Sequence, residues 1–310
     1  MRSRWLVTFL AALLFTLAAC GGAGNGISGP TATAPQSAFP ATVSDFQGRS
    51  VTVQNRPERI VSIGPSITAF LFALGAGPRV VGVDDFSDEP AEASKIDKVG
   101  GVKVNFEKVV SLRPDLVLTV KFSDGTIEKL QAASLTVLVV DPQTAADVAR
   151  TAMLIGRAVG QPGESLASSI QQRVDAVRAK TRNVASRPRV YHEIDASDPA
   201  KIFTVGPGSY INDLIGIAGG TNIAARATSA YPQLSAEEIV KSDPEVIVLA
   251  ASTYSPSASD IAKRAGWAGI SALKAGRVAY IEANLINRPG PRLGEAAEAY
   301  AKAVHPELFK

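Results

Sequence analysis

Two glutamates, Glu107 and Glu237, occupy the same place in two similar segments that lie 130 residues apart. Each follows a helix-capping residue by two positions, Asn105 in the first segment and Ser235 in the second. One interpretation is structural, because an acid in a first helical turn gains roughly 0.3–1 kcal/mol from the helix dipole, and Ser235 with Glu238 forms a capping box. The other is functional: a pseudo-twofold protein that docks on a dimeric partner needs one such carboxylate for each of two cationic pockets. On the residues alone both remain open.

The sequence contains no comparable set of residues for enzyme catalysis. The sequence has no Gly-x-Ser-x-Gly elbow, no Walker loop, no Gly-x-Gly-x-x-Gly after a strand and no His-Glu-x-x-His. Asp84 and Asp85 are adjacent, so their side chains diverge in an extended segment and do not form an acid–base pair. His192 and His305 are too few and too far apart for a three-histidine metal site. We therefore expect no enzyme, no resident metal and no cofactor.

Cys20 is the only cysteine and follows an export signal. Two arginines precede an uncharged apolar run from Trp5 to Ala19, which is shorter than the roughly 20 residues of a membrane span. The run ends in Leu17-Ala18-Ala19-Cys20, which resembles a bacterial lipobox, whose cysteine is lipidated and becomes the mature N-terminus. Residues 1–19 are thus predicted to be a lipoprotein signal peptide. An ordinary cleavage site beside an unrelated cysteine is the alternative.

Residues 20–40 are predicted to be a flexible tether. Positions 21–40 carry no charge and consist mostly of Gly, Ala, Ser, Thr and Pro, so they cannot form a core. A coil of this length has a typical reach of roughly 25 Å. We therefore expect the protein to lie outside the cytoplasmic membrane and to be anchored to it by this short tether.

The composition is that of a globular protein, with 46% apolar and 20% charged residues among 310. Without Arg2 and Arg4 of the signal segment, 30 basic residues oppose 29 acidic ones. So small a net charge gives no support to nucleic-acid binding.

After a predicted strand pair around Val43 to Val53, short β-branched runs at residues 59–63, 116–120 and 136–140 alternate with helix-like stretches. This pattern indicates the α/β class with parallel sheets covered on both faces. The stretch from Gly163 to Asn183 lacks proline and internal glycine, and its apolar residues recur at helical spacing. It is predicted to be a helix that bridges two lobes; a surface helix of one large domain is the alternative. The predicted domains are an N-terminal lobe (residues 41–160), an interlobe helix (residues 161–187) and a C-terminal lobe (residues 188–310).

Internal similarity supports two equivalent lobes. Residues 105–115 match residues 235–245 at an offset of 130, each a capped helix closed by a proline before an apolar strand. Residues 64–77 resemble residues 206–220 at an offset of 143, counted from Ser66 to Ser209.

From Arg59 to the C-terminus the sequence resembles the class III substrate-binding proteins of ABC importers, which serve ferric siderophores, haem and cobalamin. The phrases that carry the resemblance are Arg59-Ile60-Val61-Ser62, Leu74 to Asp88, Val99-Gly100-Gly101, Asn105 to Val117, Phe203 to Gly206, Ala218 to Ile223 and Arg288 to Arg292. It implies two Rossmann-like lobes joined by a long rigid α-helix. It also implies that Glu107 and Glu237 bind arginines of a permease dimer, that the receptor is a monomer, and that ligand lies between the lobes at the strand ends.

Within the family the closest resemblance is to cobalamin binders. Their aromatic cleft residues correspond to Phe86 and Tyr231, and a polar pair corresponds to Asn284 and Arg288. Aromatic faces suit a macrocycle, while amide and guanidinium groups suit peripheral amides and a phosphate. The expected ligand is thus cobalamin or a related corrinoid, with a ferric siderophore or haem as the alternative.

Two further side chains are candidates for the same cleft. Lys121 follows a strand end and either meets an anionic ligand or is an ordinary surface lysine. Tyr210 follows Gly206-Pro207-Gly208 and either lines the cleft or caps the next helix.

Overall fold

The computed structural model describes residues 39–253 and 255–309. The signal peptide, Cys20 and nearly all of the tether lie outside these residues. Within them, no helix has the length and apolar character needed to span a bilayer.

The described chain opens with the expected pair of strands. β1 (Ala41–Ser44) and β2 (Ser50–Val53) run antiparallel. The carboxylate of Asp45 organises the turn, since it accepts hydrogen bonds from the backbone N–H of Gln47 and from the backbone and guanidinium of Arg49. These hydrogen bonds close the hairpin between β1 and β2.

The N-terminal lobe is built on a parallel four-stranded sheet of order β4-β3-β5-β6. Its strands are β3 (Ile60–Ile63), β4 (Val80–Val83), β5 (Leu116–Thr119) and β6 (Val137–Val139). Its helices are α1 (Pro65–Ala73), α2 (Phe106–Ser111), α3 (Thr126–Ala132) and α4 (Ala145–Val159). β3, β5 and β6 are buried at every position, which is why they read as continuous apolar runs without alternation.

A long helix, α5 (Glu164–Thr181), leads to the C-terminal lobe, which is built on a second sheet. The strands are β7 (Arg189–Asp195), β8 (Ile202–Thr204), β9 (Thr221–Asn222), β10 (Gln233–Leu234), β11 (Val246–Ala251) and β12 (Val278–Glu282). The helices are α6 (Tyr210–Ile217), α7 (Ala236–Ser242), α8 (Ala258–Ala262), α9 (Ser271–Lys274), α10 (Ala283–Asn287) and α11 (Leu293–Val304). β7, β11 and β12 are parallel, whereas β8 and β10 add an antiparallel edge and β9 pairs with the start of β7.

The predicted fold class is confirmed: two α/β lobes are joined by a long helix. The predicted spacing is also confirmed, since Ile170, Val174 and Val177 of α5 are buried. They belong to one apolar cluster that includes residues of both sheets and of α11. On the outer side of α5, Arg173 forms ion pairs of 3.0 Å with Glu295 and Glu298 of α11. The domain boundaries at residues 161 and 188 stay predictions.

The two offsets of the internal repeat have a structural cause. β3 and β7, like β5 and β11, correspond at 130 residues, but α1 follows β3 directly whereas β8 is inserted between β7 and α6. The helices α1 and α6 therefore correspond at the larger offset of 143. The offset returns to 130 at α2 and α7, because the segment between β4 and α2 is longer than the corresponding segment of the C-terminal lobe. This longer segment contains Phe86.

His192 lies in the core between β7 and α11. Its ring is fully buried, and Nδ1 is 2.6 Å from the hydroxyl of Tyr300, while Nε2 has no hydrogen-bond partner among the described residues. Burial lowers the pKa of His192 from 6.5 to about 4, because the imidazolium cannot be solvated there.

This shift predicts acid destabilisation that depends on His192. Between pH 6.5 and pH 4 the unfolded chain binds a proton that the folded protein refuses, so the stability present above pH 6.5 is lost as the pH falls. At pH 4.5 the loss amounts to about 2–3 kcal/mol. Urea unfolding measures the difference in unfolding free energy between pH 7 and pH 4.5. In His192→Gln this difference should be smaller than in the wild type by the same amount.

Tyr300→Phe serves as the matched control, because it removes the hydroxyl beside Nδ1 and keeps the buried imidazole, so the difference between the two pH values should remain. Equal pH dependence in His192→Gln and the wild type would contradict the assignment.

Candidate functional site

A cavity of about 480 Å³ lies where the carboxyl ends of the strands meet between the lobes. All four strands of the N-terminal sheet and β12 of the C-terminal sheet are followed by segments that line it. We call it the cleft cavity. Its lining residues are Pro65, Ser66, Phe86, Val120, Val140, Asp141, Pro142, Gln143, Tyr210, Tyr231, Ala283, Asn284, Asn287, Arg288 and Pro289. Such a position is where open α/β sheets bind ligands.

The sequence-predicted ligand residues converge here with one exception. The residues that line the cleft cavity are Phe86, Tyr210, Tyr231, Asn284 and Arg288. Lys121 is exposed at the end of β5 and does not belong to the lining. The two aromatic rings come from opposite lobes, and each is about half exposed, 53% for Phe86 and 50% for Tyr231.

The loop that presents Phe86 is fixed by a buried carboxylate. Asp84 accepts hydrogen bonds from the backbone N–H of Gly64 at 2.8 Å and of Phe86 at 2.9 Å, and from the hydroxyl of Ser87 at 2.6 Å. The ammonium of Lys98 donates to the carbonyls of Asp84 and Ser87. Asp84 therefore has a structural task, whereas its neighbour Asp85 is exposed.

Polar side chains of the C-terminal lobe reach across to this loop. Arg288 pairs with Asp88 at 2.6 Å and donates to the carbonyl of Phe86 at 3.2 Å. Asn284 donates to Glu89 at 3.1 Å. The guanidinium and amide expected to hold ligand thus also connect the two lobes at the rim of the cleft cavity.

Tyr231 faces a carboxylate on the N-terminal lobe. Burial raises the pKa of Tyr231, and the charge of Asp141 raises it further. Burial also raises the pKa of Asp141, against the opposing effect of the Lys121 ammonium. Lys121 thus lowers the pKa of Asp141 but does not itself line the cleft cavity.

Tyr210 is the first residue of α6, and the helix is capped by the Ser209 hydroxyl, which accepts from the backbone N–H of Asn212. The Tyr210 hydroxyl donates to the carbonyl of Ile286 at 2.8 Å. Burial raises the pKa of Tyr210 well above its ordinary value. Of the two predicted alternatives, the structure therefore places the side chain at the cleft wall and gives the capping role to Ser209.

The cleft continues into a second cavity on the C-terminal lobe. This cavity, of about 400 Å³, shares Ala283 and Asn287 with the first and is floored by Glu193, which pairs with Arg264. The Tyr191 hydroxyl donates to the same carboxylate at 2.9 Å. A larger groove of about 920 Å³ lies near the start of β4. We do not assign ligand to that groove, because its lining is mainly apolar and only Arg292 reaches it from the C-terminal lobe.

Glu107 and Glu237 lie outside all these cavities on equivalent helices. Each is the second residue of its helix, behind the caps Asn105 and Ser235, whose side chains accept a backbone N–H. The capping box of Ser235 with Glu238 is confirmed. Both glutamates are exposed and make no hydrogen bond or ion pair with another described residue. Since Glu238 completes the capping box, capping at the second helix does not require Glu237.

Asp141, Gln143 and Asn287 are cleft residues that the sequence analysis did not single out. Asp141 and Gln143 lie two and four residues after the end of β6, so a search of polar residues after every predicted strand finds them. Asn287 ends the short helix α10, for which the sequence has no comparable signal. Within the described chain, no group of three or more His, Cys, Asp or Glu side chains is arranged to hold a metal ion.

Residues 60–285 match the family model described as periplasmic binding protein. The chain belongs to this family. Over 97% of both lengths it is 35% identical to an uncharacterized ABC transporter substrate-binding lipoprotein of Bacillus subtilis. It is also 35% identical to a cobalamin-binding protein of Halobacterium salinarum, over 86% of this chain and 74% of the relative.

Among solved structures, the periplasmic vitamin B12 binding protein of Vibrio cholerae superposes with a TM-score of 0.71 at 25% identity, covering 82% of this chain and 99% of that one. The chain is therefore a substrate-binding protein of the class that serves ABC importers, as the sequence resemblance implied. Proteins of this family are extracytoplasmic and bind rather than transform their substrates.

Proposed function

We propose that this protein captures cobalamin or a related corrinoid in the cleft cavity and delivers it to an ABC permease. The observation that carries the proposal is the pair of half-exposed rings, Phe86 and Tyr231, facing one cavity from opposite lobes. Flat aromatic surfaces on both sides of a cleft suit a broad, flat macrocycle. The relatives named for cobalamin and vitamin B12 support the same choice.

The polar groups of the cleft suit the periphery of a corrinoid. Peripheral amides can exchange hydrogen bonds with Asn284 and Asn287, and the phosphate of a nucleotide tail can accept from Arg288. The adjoining cavity above Glu193 gives room for such a tail beside the ring. Arg288 would then exchange Asp88 for the phosphate when ligand binds.

Haem fits this cleft less well. A protein that ligates haem iron uses an axial His, Met, Cys or Tyr phenolate. Neither histidine lines the cleft cavity, and the Tyr210 hydroxyl already donates to the carbonyl of Ile286, which leaves Tyr231 as the one phenol of the described lining that could reach iron. A corrinoid carries its own axial ligands to cobalt, so it needs no such group from the protein.

Delivery rests on Glu107 and Glu237. Their exposure, their lack of partners and their equivalent positions on α2 and α7 suit two symmetry-related basic pockets of a permease dimer. The mature receptor would reach the permease as a monomer on the tether, held to the membrane by lipid on Cys20.

The proposed ligand predicts tight, saturable, one-to-one binding of cyanocobalamin by calorimetry. Each cleft ring contributes about 1–1.5 kcal/mol of contact energy. The double variant Phe86→Ala/Tyr231→Ala should therefore bind on the order of 30- to 150-fold more weakly.

Met153→Ala/Phe203→Ala is the control, because it removes two exposed large apolar side chains that line neither cavity. Its affinity should equal that of the wild type. Binding of a ferric hydroxamate, a ferric catecholate or haemin in place of cyanocobalamin would reject the corrinoid.

The docking role predicts that Glu107→Ala/Glu237→Ala abolishes uptake in a strain that depends on this receptor. Ligand affinity should stay within about twofold, because neither glutamate lines the cleft cavity. Uptake of labelled ligand by cells and calorimetry on the purified variant measure the two effects.

Glu128→Ala/Glu164→Ala removes two exposed first-turn acids from α3 and α5 and serves as the control for lost charge and helix-dipole stabilisation. The docking role is rejected if both double variants transport equally, or if the first loses ligand binding while still folded.

The anchor predicts that cells fed labelled palmitate modify the wild-type protein and leave Cys20→Ser unlabelled, with the variant released to the soluble fraction. Ser28→Ala, in the tether, should behave as the wild type. An unlabelled wild-type protein, or retention of Cys20→Ser in the membrane, would contradict lipidation.

A further inference from the structure

An arginine before the first sheet strand of the N-terminal lobe binds the end of the glutamate-bearing helix. Arg59 Nε and Nη2 donate to the carbonyl of Leu112, the C-cap of α2, at 2.9 and 2.7 Å. The backbone of Arg59 is paired as well: its N–H donates to the Asp115 carboxylate at 3.1 Å, and its carbonyl accepts from Asp115 N at 2.9 Å.

The C-terminal lobe repeats this arrangement at an offset of 130. Arg189 Nε donates to the carbonyls of Ser242 and Asp243 at 3.0 and 2.9 Å, at the end of α7. Its backbone N–H donates to the Glu245 carboxylate at 2.9 Å, and its carbonyl accepts from Glu245 N at 2.8 Å. Every group of the first arrangement thus has its counterpart in the second.

A residue just after the C-terminus of each helix adopts a strained backbone conformation with positive φ. Arg113 after α2 has φ 47° and Asp243 after α7 has φ 42°, a conformation that non-glycine residues seldom adopt. Such a turn persists only where the surrounding structure fixes it. The two arginines supply part of that fixation, since they hold the carbonyl at or next to the strained residue in each lobe.

Helices as short as α2 and α7 cannot hold themselves in place. With six and seven residues, they are far below the roughly 12–15 residues at which an isolated helix becomes marginally stable. Their free carbonyls at the C-terminus are natural acceptors for arginine. A tilt at this end moves Glu107 or Glu237, which lies only about one and a half turns away.

We propose that Arg59 and Arg189 form a duplicated arginine clamp that positions Glu107 and Glu237 for docking on the permease. The inference rests on the docking role proposed above and extends it to residues that do not touch the partner. A dimeric permease presents two pockets at a fixed separation, so the receptor must hold both carboxylates at a matching one.

The test compares docking affinity with ligand affinity in the full-length protein. Arg59→Met/Arg189→Met keeps the aliphatic stems and removes the donors. We expect about tenfold weaker binding to the cognate permease in nanodiscs, with ligand affinity by calorimetry within twofold. Arg277→Met is the matched control, because Arg277 holds the carbonyls of Ala303 and Val304 at the end of α11, a helix without a docking glutamate.

A double-mutant cycle separates positioning from general destabilisation. In the Glu107→Ala background, where Glu237 still supports measurable docking, Arg59→Met should cause no further loss of docking. A loss that persists in that background overturns the clamp, as does unchanged docking of the arginine variant. If the glutamate variant itself docks normally, the docking role fails and the clamp fails with it.

Arg59→Lys/Arg189→Lys provides a second route should the methionine variant fail to fold. Lysine keeps the charge at the helix end but cannot donate from two nitrogens to one carbonyl. Its docking loss should be smaller, about threefold, and Arg59→Lys should again cause no further loss in the Glu107→Ala background. Wild-type docking by a folded lysine variant would show that the forked geometry is unnecessary and would overturn the clamp.

Discussion

One continuous apolar core is the constraint on which the rest of this molecule depends. It runs from Ile60 and Leu118 of the N-terminal sheet, through Ile170 and Val174 of α5, to Val246 of the C-terminal sheet. Separating the lobes would expose apolar surface at roughly 25 cal/mol per Å². The lobes therefore pack against each other through this shared core, which favours a fixed separation of the helices that carry Glu107 and Glu237 over a flexible hinge.

Contacts at the cleft rim are of a different kind and permit adjustment. Arg288 with Asp88 and Asn284 with Glu89 are polar pairs near solvent, where an exposed ion pair contributes about 0–1 kcal/mol. Such contacts can be exchanged for contacts with a ligand at little cost, while the core beneath stays intact. The contacts between the lobes thus divide into an apolar core and a polar rim at the cleft cavity.

The sequence predicted what local patterns determine. Buried β-branched runs indicated β3, β5 and β6, helical spacing indicated α5, and capping residues with a closing proline indicated α2 and α7. Contacts between the lobes could not be predicted from the sequence, because Arg288 and Asp88 are 200 residues apart and only the folded chain brings them together. The effect of Lys121 on the pKa of Asp141 could not be predicted for the same reason, because it acts between the ends of two neighbouring strands.

The repeat itself divides the two tasks of the protein. Segments that correspond at the constant offset of 130 include α2 and α7, the helices proposed to face a twofold permease, for which two equal features are required. Segments that break the offset are the loop after β4, which holds Phe86, and the β7–β8 hairpin, whose end lies beside the second cavity. The proposed corrinoid has no twofold symmetry, so a cleft that binds it must present different groups from each side. On these two proposals, the equal parts serve the symmetric partner, and the unequal parts are free to fit an asymmetric ligand.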